Sequence, residues 1–401
     1  MRTPSTAEQA LAIWSGTDFT VGRSATSTCV ITHGAVSSEH LTIYSVLFDE
    51  ISTPLVYCWD KSLNGTFHNG KIIGRDRRVL LCDGDRIDIR HACSFTFCQS
   101  YGKPSLAFLM DEKEKVCKNR FDILPRTIGH GSFGRVYLAW DKSRGRQVAC
   151  KVIETGGAPR RIAKAKTEIT ILRKLCHPNV VTIHDAVPLI TGGDLFSYLS
   201  DGTSLCAVSE AEALVITFQI LKALEYLHAN NVAHRDLKLD NVLRVSHDPG
   251  ARVVLVDFGI SKAIPPAKRM TTVVGTPEFS APEVGFADTT AVRPGYDTKC
   301  DVWSLGVILH ILLSGISPFY DTSESARQIS LNARACVLKM SGPHWDGVSF
   351  SGRDLVRRML CVEPENRYSV AECFGHAWIA GQREMLEGVY ERRIVKDGCG
   401  L

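Results

Sequence analysis

Residues 234–241 read HRDLKLDN. In this stretch a carboxylate, Asp236, is followed by an ammonium group, Lys238, and by a side-chain amide, Asn241. Working outward, four shorter motifs keep a fixed order around it: GHGSFGRV at 129–136, VACK at 148–151, DFG at 257–259 and APE at 281–283. An ordered series of this kind has a negligible chance of arising by accident, so it decides the fold of about two thirds of the chain.

The glycine-rich motif contributes Gly129, Gly131 and Gly134 and ends on Val136. Glycines allow the backbone to pass close over phosphates and to present its N–H groups to them. Alone the motif is weak, because glycine-rich turns are common, and a single lysine such as Lys151 is more often a surface residue. The order of the whole series gives each motif its weight.

Taken together, the motifs resemble those of the protein kinase family. The resemblance covers residues 121–380 and implies an α+β bilobal protein kinase fold. It implies that Asp236 accepts the proton of a substrate hydroxyl, and that Lys238 lies near the transferred phosphate, as in serine/threonine kinases. It also implies that Asn241 and Asp257 bind Mg²⁺, a cation that prefers oxygen ligands. The implied reaction is transfer of the ATP γ-phosphate to protein serine or threonine.

The resemblance also assigns residues to ATP. Lys151 would contact the α- and β-phosphates and pair with Glu168, which lies in a helical-looking segment. Taken singly, Glu168 is as well explained as a solvated helix residue. The full set implied to bind ATP is Gly129, Gly131, Ser132, Phe133, Gly134, Val136, Lys151 and Glu168.

Substrate binding is implied for two residues of the same region. Thr276 lies in the substrate-docking loop, just before the APE motif, and Asp194 would accept a basic residue upstream of the phosphorylated position. The alternative for Asp194 is an N-cap of the helix that begins near Leu195, and both uses are compatible. Arg367 matches the arginine that pairs with Glu283 in the lower lobe.

Thr271 and Thr272 lie between the DFG and APE motifs and are predicted activation-loop phosphorylation positions. Thr272 matches the position phosphorylated in the family. A phosphate there would pair with Arg235, beside Asp236, and order the segment. The alternative is an ordinary threonine of a surface loop.

The first hundred residues have a different pattern from the rest. Short runs rich in β-branched and aromatic residues, such as LTIYSVLF at 41–48 and LVYCW at 55–59, are separated by Asn-Gly and Asp-Gly turns. This pattern predicts an all-β sandwich.

Three sparse motifs in this region resemble a forkhead-associated domain: GRS at 22–24, SSEH at 37–40 and NGTFHNG at 64–70. The resemblance implies that Arg23 and Ser37 bind the phosphate of a phosphothreonine and that Asn64 binds the peptide backbone. His40 and Asn69 would brace the loops. Each residue has a simpler explanation, with Arg23 as a surface cation and Asn64 as part of a hairpin turn; their joint order favours the phosphopeptide site.

The predicted organisation is multidomain. Residues 1–100 form the forkhead-associated domain, 101–120 a linker, 121–380 the kinase domain and 381–401 a C-terminal tail. This combination resembles the checkpoint kinase family related to checkpoint kinase two. The family implies work in DNA-damage or replication checkpoint signalling in the nucleus, with phosphothreonine proteins and Ser/Thr substrates as partners and phosphorylation-dependent self-association.

Composition argues against several other classes of protein. The formal net charge of +4 over 401 residues gives no indication of nucleic-acid binding, which needs basic residues gathered on one face. No run of about 18 apolar residues occurs, so no membrane span is predicted. The 14 cysteines are scattered without any CxxC pair, which fits free thiols in a reducing compartment, nucleus or cytoplasm.

One departure from the kinase pattern keeps an alternative open. Between Asn179 and Gly192 the chain is short by about one strand and its turn. The missing piece is expected to come from inside the sheet of the small lobe, and Val187–Ile190 is too short for both a strand and the hinge over adenine. This predicts weak ATP binding, or, as the alternative function, a phosphopeptide-binding scaffold with an inactive kinase domain.

Overall fold

The computed structural model describes residues 10–14, 17–47, 54–99, 120–131, 134–153, 159–181, 187–201, 203–257, 278–284, 296–319 and 326–395. The chain forms two compact units, Met1–Asn119 and Arg120–Leu401. Most of the predicted linker, residues 101–119, lies outside the described residues.

The first unit is built from short strands. They are β1 (Phe19–Gly22), β2 (Cys29–Val30), β3 (Leu41–Val46), β4 (Leu55–Asp60), β5 (Phe67–His68), β6 (Lys71–Ile72), β7 (Arg78–Leu81), β8 (Arg86–Ile89) and β9 (Cys93–Thr96). One sheet has the order β2-β1-β3-β4-β7 and the other β6-β5-β8-β9. Ile43 and Cys58 from the first sheet and Ile87 and Ile89 from the second belong to one buried cluster. This is the predicted all-β sandwich.

The turn between β5 and β6 shows how sequence sets this architecture. Asn69 and Gly70 both have positive φ, 48° and 78°. Two central residues with positive φ suit a type I′ hairpin turn, which asparagine followed by glycine adopts at low cost. The predicted turn is therefore confirmed at this position.

The second unit begins with the small lobe. Its strands are β10 (Phe121–Gly131), β11 (Gly134–Asp141), β12 (Arg146–Ile153) and β13 (Val187–Pro188), and its helix is α1 (Pro159–Leu172). The strands form an antiparallel sheet in the order β10-β11-β12-β13. Val187 and Pro188 pair with Ala149 and Val148 of β12.

This order corrects the expectation that an internal strand is missing. Among the described residues β13 pairs directly with β12 and forms the edge of the sheet, so the described strands leave no gap inside it. An edge strand has one side without ladder bonds, and a proline such as Pro188 is tolerated there.

The large lobe is mainly helical. It contains α2 (Leu195–Leu199), α3 (Glu210–Ala229), β14 (Val242–Arg244), β15 (Val253–Leu255), α4 (Tyr296–Ser314), α5 (Ala326–Ala335), α6 (Phe350–Met359), α7 (Val370–Gly375), α8 (Ala377–Ala380) and α9 (Arg383–Val389). A short 3₁₀ turn, Leu239–Asn241, precedes β14. Every residue from Val302 to Leu313 is buried.

Of the residues predicted as a C-terminal tail, 381–395 are part of this fold, and 396–401 lie outside the described residues. After α9 the chain continues as a π-helical segment, Tyr390–Val395. Leu386, Tyr390 and Ile394 are buried in the core of the large lobe. An unstructured tail would leave these apolar side chains in water, so their burial is the reason that the segment folds.

Within the described part of the chain, no helix combines the length and apolarity that crossing a membrane requires. The cysteines that the structure describes are free thiols. Cys58, Cys300 and Cys373 are buried among apolar side chains, where a thiol behaves as a small hydrophobe.

Candidate functional site

The HRDLKLDN loop is held by one carboxylate of the large lobe. Asp301, fully buried in α4, accepts the backbone N–H of His234 at 2.9 Å and that of Arg235 at 2.8 Å. Burial acts to raise the pKa of Asp301, but its hydrogen bond with His228 and the nearby histidine charges outweigh burial and lower it. Arg235 has a φ of +65°, a strained conformation that the bond to Asp301 helps to hold.

Sequence reasoning missed Asp301 and its partner His228. The signal was available, since Asp301 is a charged residue beside the largely apolar run from Val302 to Leu313. A carboxylate in such a setting is buried only when hydrogen bonds satisfy it. Here two backbone N–H groups and His228 do so.

Asp236 points into this site with little exposure, 9%. Burial raises the pKa of Asp236, and the positive charge of nearby Lys238 opposes this effect. Asn241 donates from Nδ2 to the Asp236 carbonyl at 2.6 Å and to its carboxylate Oδ2 at 3.2 Å. The predicted base, lysine and amide therefore lie together.

Asn241 and Asp257 are brought to the same end of a hairpin. β14 and β15 pair antiparallel, with Val242 opposite Leu255, and Val256 N–H donates to the Asn241 carbonyl at 3.0 Å. Both side-chain hydrogen bonds of Asn241 to Asp236 are donated by Nδ2. The amide oxygen of Asn241 therefore faces away from Asp236. An amide oxygen and a carboxylate at the same end of one hairpin form a donor set that fits Mg²⁺.

Lys151 lies in β12, opposite Val136 of β11. Its ammonium pairs with the carboxylate of Asp257. Glu168, the predicted partner of Lys151, lies in α1, and its side chain is outside the described part. The structure thus joins the lysine predicted to bind phosphate to Asp257 of the DFG motif.

The glycine-rich motif forms the turn between β10 and β11. Gly129 pairs with Val136 and Gly131 with Gly134, which closes the hairpin. Ser132 and Phe133, at its tip, lie outside the described residues.

The connection between the lobes is short. Gly192 N–H donates to the Arg244 carbonyl at 3.0 Å, and Arg244 N–H donates to the Gly193 carbonyl at 2.8 Å. A Cβ on Gly192 would come within 2.5 Å of the Arg244 oxygen, so only glycine fits there. Since β13 ends at Pro188, a brief stretch around Leu189 joins the small-lobe sheet to β14 of the large lobe.

Asp194 forms the N-cap of α2, as one of the two predicted uses requires. Its Oδ1 accepts the backbone N–H of Ser197 at 2.7 Å. Burial raises the pKa of Asp194 to about 6. With 6% exposure the carboxylate is committed to the cap, and a contact with a basic substrate residue stays a prediction.

The predicted pair of Arg367 with Glu283 is present. Arg367, itself buried, donates from Nη1 and Nη2 to the two carboxylate oxygens of Glu283 at 2.7 and 3.0 Å. A two-point pair of this kind fixes the end of the APE motif with defined geometry. Thr271, Thr272 and Thr276 lie outside the described residues.

The predicted phosphopeptide residues lie on three neighbouring loops of the first unit. Arg23 N–H donates to the Ser37 carbonyl at 2.9 Å. The hydroxyl of Ser37 accepts the N–H of Leu63 at 3.1 Å. Asn64 donates from Nδ2 to the Ala35 carbonyl at 3.0 Å. Arg23 and Asn64 are exposed, so their side chains are accessible to a ligand.

The bracing residues behave as predicted. His40 is buried and accepts the N–H of Ser37 on Nδ1 at 3.0 Å; burial lowers its pKa. Asn69 donates to Asp85 at 2.7 Å and accepts the N–H of Arg86 at 2.9 Å.

Sequence reasoning missed Asp60, which shapes the Asn64 loop. Its carboxylate is fully buried and accepts the hydroxyls of Ser62 at 2.6 Å and Thr66 at 2.8 Å. A further bond comes from Thr66 N–H at 3.1 Å. The signal was the presence of Asp60, Ser62 and Thr66 on the two sides of Asn64. Side chains of these types commonly form hydrogen bonds within the turn to which they belong.

Comparison with known proteins decides the identity of the second unit. Residues 124–379 match the protein kinase domain family. The chain belongs to the protein kinase family. Residues 19–90 match the FHA domain family, so this kinase carries a forkhead-associated phosphothreonine-binding domain on its N-terminal side.

Similar proteins share this arrangement along most of their length. The meiosis-specific serine/threonine-protein kinase mek1 of Schizosaccharomyces pombe is 40% identical over 395 residues, covering 94% of this chain and 85% of the relative. The meiosis-specific serine/threonine-protein kinase MEK1 of Saccharomyces cerevisiae is 38% identical over 415 residues, covering 92% and 82%. The crystal structure of Rad53 1-466 in complex with AMP-PNP matches with a TM-score of 0.55 and 28% identity, covering 90% of this chain and 91% of that one.

These likenesses establish a serine/threonine protein kinase of the Rad53 and checkpoint kinase two type. They give no support to the alternative of an inactive scaffold, because the relatives are named as kinases.

Proposed function

We propose that this kinase transfers the γ-phosphate of ATP, with Mg²⁺, to serine or threonine of proteins recruited through phosphothreonine, in nuclear checkpoint signalling during meiosis. The observation that supports the chemistry is the grouping of Asp236, Asn241 and Asp257 at one end of the β14–β15 hairpin. The meiotic setting is supported by the printed names of the two fungal relatives.

The catalytic roles follow from this grouping. Asp236 orients the substrate hydroxyl and takes its proton as the hydroxyl oxygen bonds to the γ-phosphorus and the bond from that phosphorus to the departing ADP oxygen breaks. Its pKa, raised by burial, makes it a better proton acceptor than an exposed aspartate. Lys238 adds positive charge beside the transferred phosphate.

Phosphate binding falls to Lys151 and to the backbone of the glycine-rich turn. Asn241 and Asp257 would hold Mg²⁺, which neutralises charge on the phosphates when bound. Asp257 already contacts Lys151, so a single arrangement places the metal ligand and the phosphate-binding lysine.

Recruitment is assigned to Arg23, Ser37 and Asn64. The Ser37 hydroxyl accepts from Leu63 N–H, which leaves its own hydrogen to donate to a phosphate oxygen. With the Arg23 guanidinium this gives a charged and a neutral donor from adjacent loops. A phosphothreonine on a second copy of the chain would raise the local concentration of two kinases and promote phosphorylation of the activation loop in trans.

The experiment that tests the proposal is phosphotransfer by the purified chain. Radiolabelled ATP with Mg²⁺ and a serine/threonine peptide should give labelled peptide, and EDTA should abolish labelling. Absence of transfer to any of a panel of peptides, with the protein folded and phosphothreonine binding intact, would contradict it.

A further inference from the structure

The C-terminal segment of the kinase unit reaches the loop that follows α1. Tyr390, 6% exposed, donates from its phenol to Asn179 Oδ1 at 2.6 Å and lies 3.3 Å from His177 Nε2. The loop continues directly from the helix that carries Glu168. A residue near the C-terminal end of the fold therefore contacts the loop that directly follows the helix carrying a predicted ATP-binding residue.

In the hydrogen bonds around Tyr390, the donor and the acceptor of each bond can be assigned. Asn179 N–H donates to His177 Nδ1 at 3.1 Å, so the ring proton belongs on Nε2, where it donates to the Tyr390 oxygen. Burial, reinforced by the charge of Lys222, lowers the pKa of His177 to about 4, so the ring is neutral. Burial also raises the pKa of Tyr390, and the phenol keeps the proton that it gives to Asn179.

Asn179 passes this contact on to the DFG strand. Its Nδ2 donates to the Val253 carbonyl at 2.7 Å, and Leu255 N–H donates to the Asn179 carbonyl at 2.8 Å. Both partners belong to β15, which ends two residues before Asp257. A continuous series of hydrogen bonds thus runs from Tyr390 to the strand whose next residues hold the phosphate-binding lysine.

The segment around Tyr390 is itself fixed to the large lobe. Glu387 pairs with Lys222 of α3 at 2.9 Å. The ring of Tyr390 packs edge-on against Phe218 at 5.9 Å, and Leu386 is 2% exposed. The segment is a rigid support rather than a loose end.

We propose that Tyr390 is a positioning residue for ATP binding and that Arg383–Val395 acts as a C-terminal latch on the loop 176–179. By holding Asn179, the latch fixes β15 and with it the pair of Asp257 and Lys151. The inference rests on the kinase activity of this unit. It assigns the latch a role in nucleotide affinity as well as in stability.

The test substitutes Tyr390→Phe, which keeps the ring and its packing and removes only the hydroxyl group. The matched control is Ser349→Ala in the large lobe, which removes the N-cap bond to Gly352 N–H at 3.0 Å. Amide hydrogen exchange, thermal unfolding, the Kd for Mg-ATP and kcat/KM are measured for the wild-type chain and both variants.

In Tyr390→Phe we expect faster exchange in residues 176–181 and β15, with nucleotide affinity and kcat/KM lower by about fivefold or more. Because coupling is reciprocal, Mg-ATP should slow exchange in Arg383–Val395 of the wild-type chain and do so less in the variant. In Ser349→Ala, hydrogen exchange in these segments, nucleotide affinity and kcat/KM should each stay within about twofold of the wild-type value. This should hold even if the two variants lose the same amount of thermal stability.

Unchanged exchange in the loop and β15 of Tyr390→Phe would overturn the proposal. So would faster exchange there with unchanged nucleotide affinity, since the role would then be structural only. A wild-type chain without ATP binding would contradict the proposed function instead, and the exchange of β15 in the free proteins would still decide whether the latch exists.

Discussion

The catalytic loop leads into β14 and the segment between the lobes is hydrogen-bonded to β14, yet the two are held in different ways. The catalytic loop is held by buried bonds to Asp301 and to the Val256 carbonyl, which contacts His234 at 3.0 Å, and internally by the bond from Asn241 to Asp236. The interlobe segment continues the chain from the edge strand Val187–Pro188, which pairs with β12. Its Gly192 and Gly193 are hydrogen-bonded to Arg244 of β14. The chemistry is therefore built on a rigid frame, while the platform for adenine depends on a short strand.

Because of this difference, we expect substitutions in the two regions to affect different quantities, turnover in one and nucleotide affinity in the other. A change in the catalytic loop should remove phosphotransfer without altering the fold, because the frame is supplied by other residues. A change near β13 should act on ATP affinity instead. Five predictions break or sharpen the contrast. Those on activity and binding come first, from the largest expected effect to the smallest, and one on stability comes last.

The largest effect is expected for Asp236→Asn. It keeps the shape of the side chain and removes the proton acceptor, so phosphotransfer should fall by about 10³-fold or more. Lys151→Met should act similarly by removing the positive charge near the phosphates. Peptide phosphorylation is the measurement, with unchanged phosphothreonine binding as the control for folding. Substantial activity in either variant, free of contaminating kinases, would contradict the assigned roles.

Arg23→Ala tests the separate phosphopeptide site. The substitution removes a charge-assisted bond to a partly desolvated phosphate, so phosphothreonine peptides should bind more weakly by about 2–5 kcal/mol. Calorimetric titration with phosphothreonine, phosphoserine and unmodified threonine peptides measures it, and the wild-type domain should prefer the first. Phosphotransfer to an unphosphorylated peptide should be unchanged. Equal titration curves for wild type and Arg23→Ala would exclude this pocket.

ATP titration addresses the interlobe segment. Because β13 has two residues and forms the described edge of the sheet, we expect weak binding, with a Kd near or above about 1 mM, the upper end of common KM values. Calorimetry or thermal shift with Mg-ATP measures it. A Kd in the low micromolar range would show that Val187–Ile190 supports adenine as well as a full-length strand does.

Activation-loop threonines are expected to have a smaller effect. Thr271→Ala, Thr272→Ala and the double variant should each lose part of their activity, roughly tenfold in the double variant, because a phosphate that pairs with Arg235 is lost. Mass spectrometry of the autophosphorylated wild type shows which threonine is used. Full activity in all three variants would rule out this mechanism.

Asp194→Asn is expected to change stability, because it keeps an N-cap acceptor and removes a buried charge. The folded-state pKa of about 6 exceeds the ordinary value of 3.8, so the wild-type chain loses stability as pH rises from about 3.8 to about 6. At pH 7.5 the variant should be more stable than wild type by about 1–3 kcal/mol. The gap should shrink by pH 5, and a gap independent of pH in thermal unfolding would contradict the burial argument.

Sequence motifs predicted the local structure well. Asp236 and Asn241 lie within one loop, so their spacing along the chain already brings them together. The geometry of the Asn69–Gly70 turn depends on its own two residues. The pairing of Arg367 with Glu283 was predicted correctly. Each of these depends on residue types that tolerate few alternatives: an ionisable group, a residue with positive φ, or a planar guanidinium. The expected loss of an internal strand was wrong, because strand order depends on pairing that the sequence does not encode locally.

By itself, the sequence determined the order of the domains, the residues of the catalytic loop and the phosphopeptide motifs. Only the tertiary structure decided which distant groups hold these motifs in place: Asp301 under the catalytic loop, Asp60 under the Asn64 loop, and Tyr390 against Asn179. The physical reason is separation along the chain. Tyr390 and Asn179 are 211 residues apart, and a hydrogen bond between them exists only because packing of the large lobe brings two buried polar groups together, where each must be satisfied.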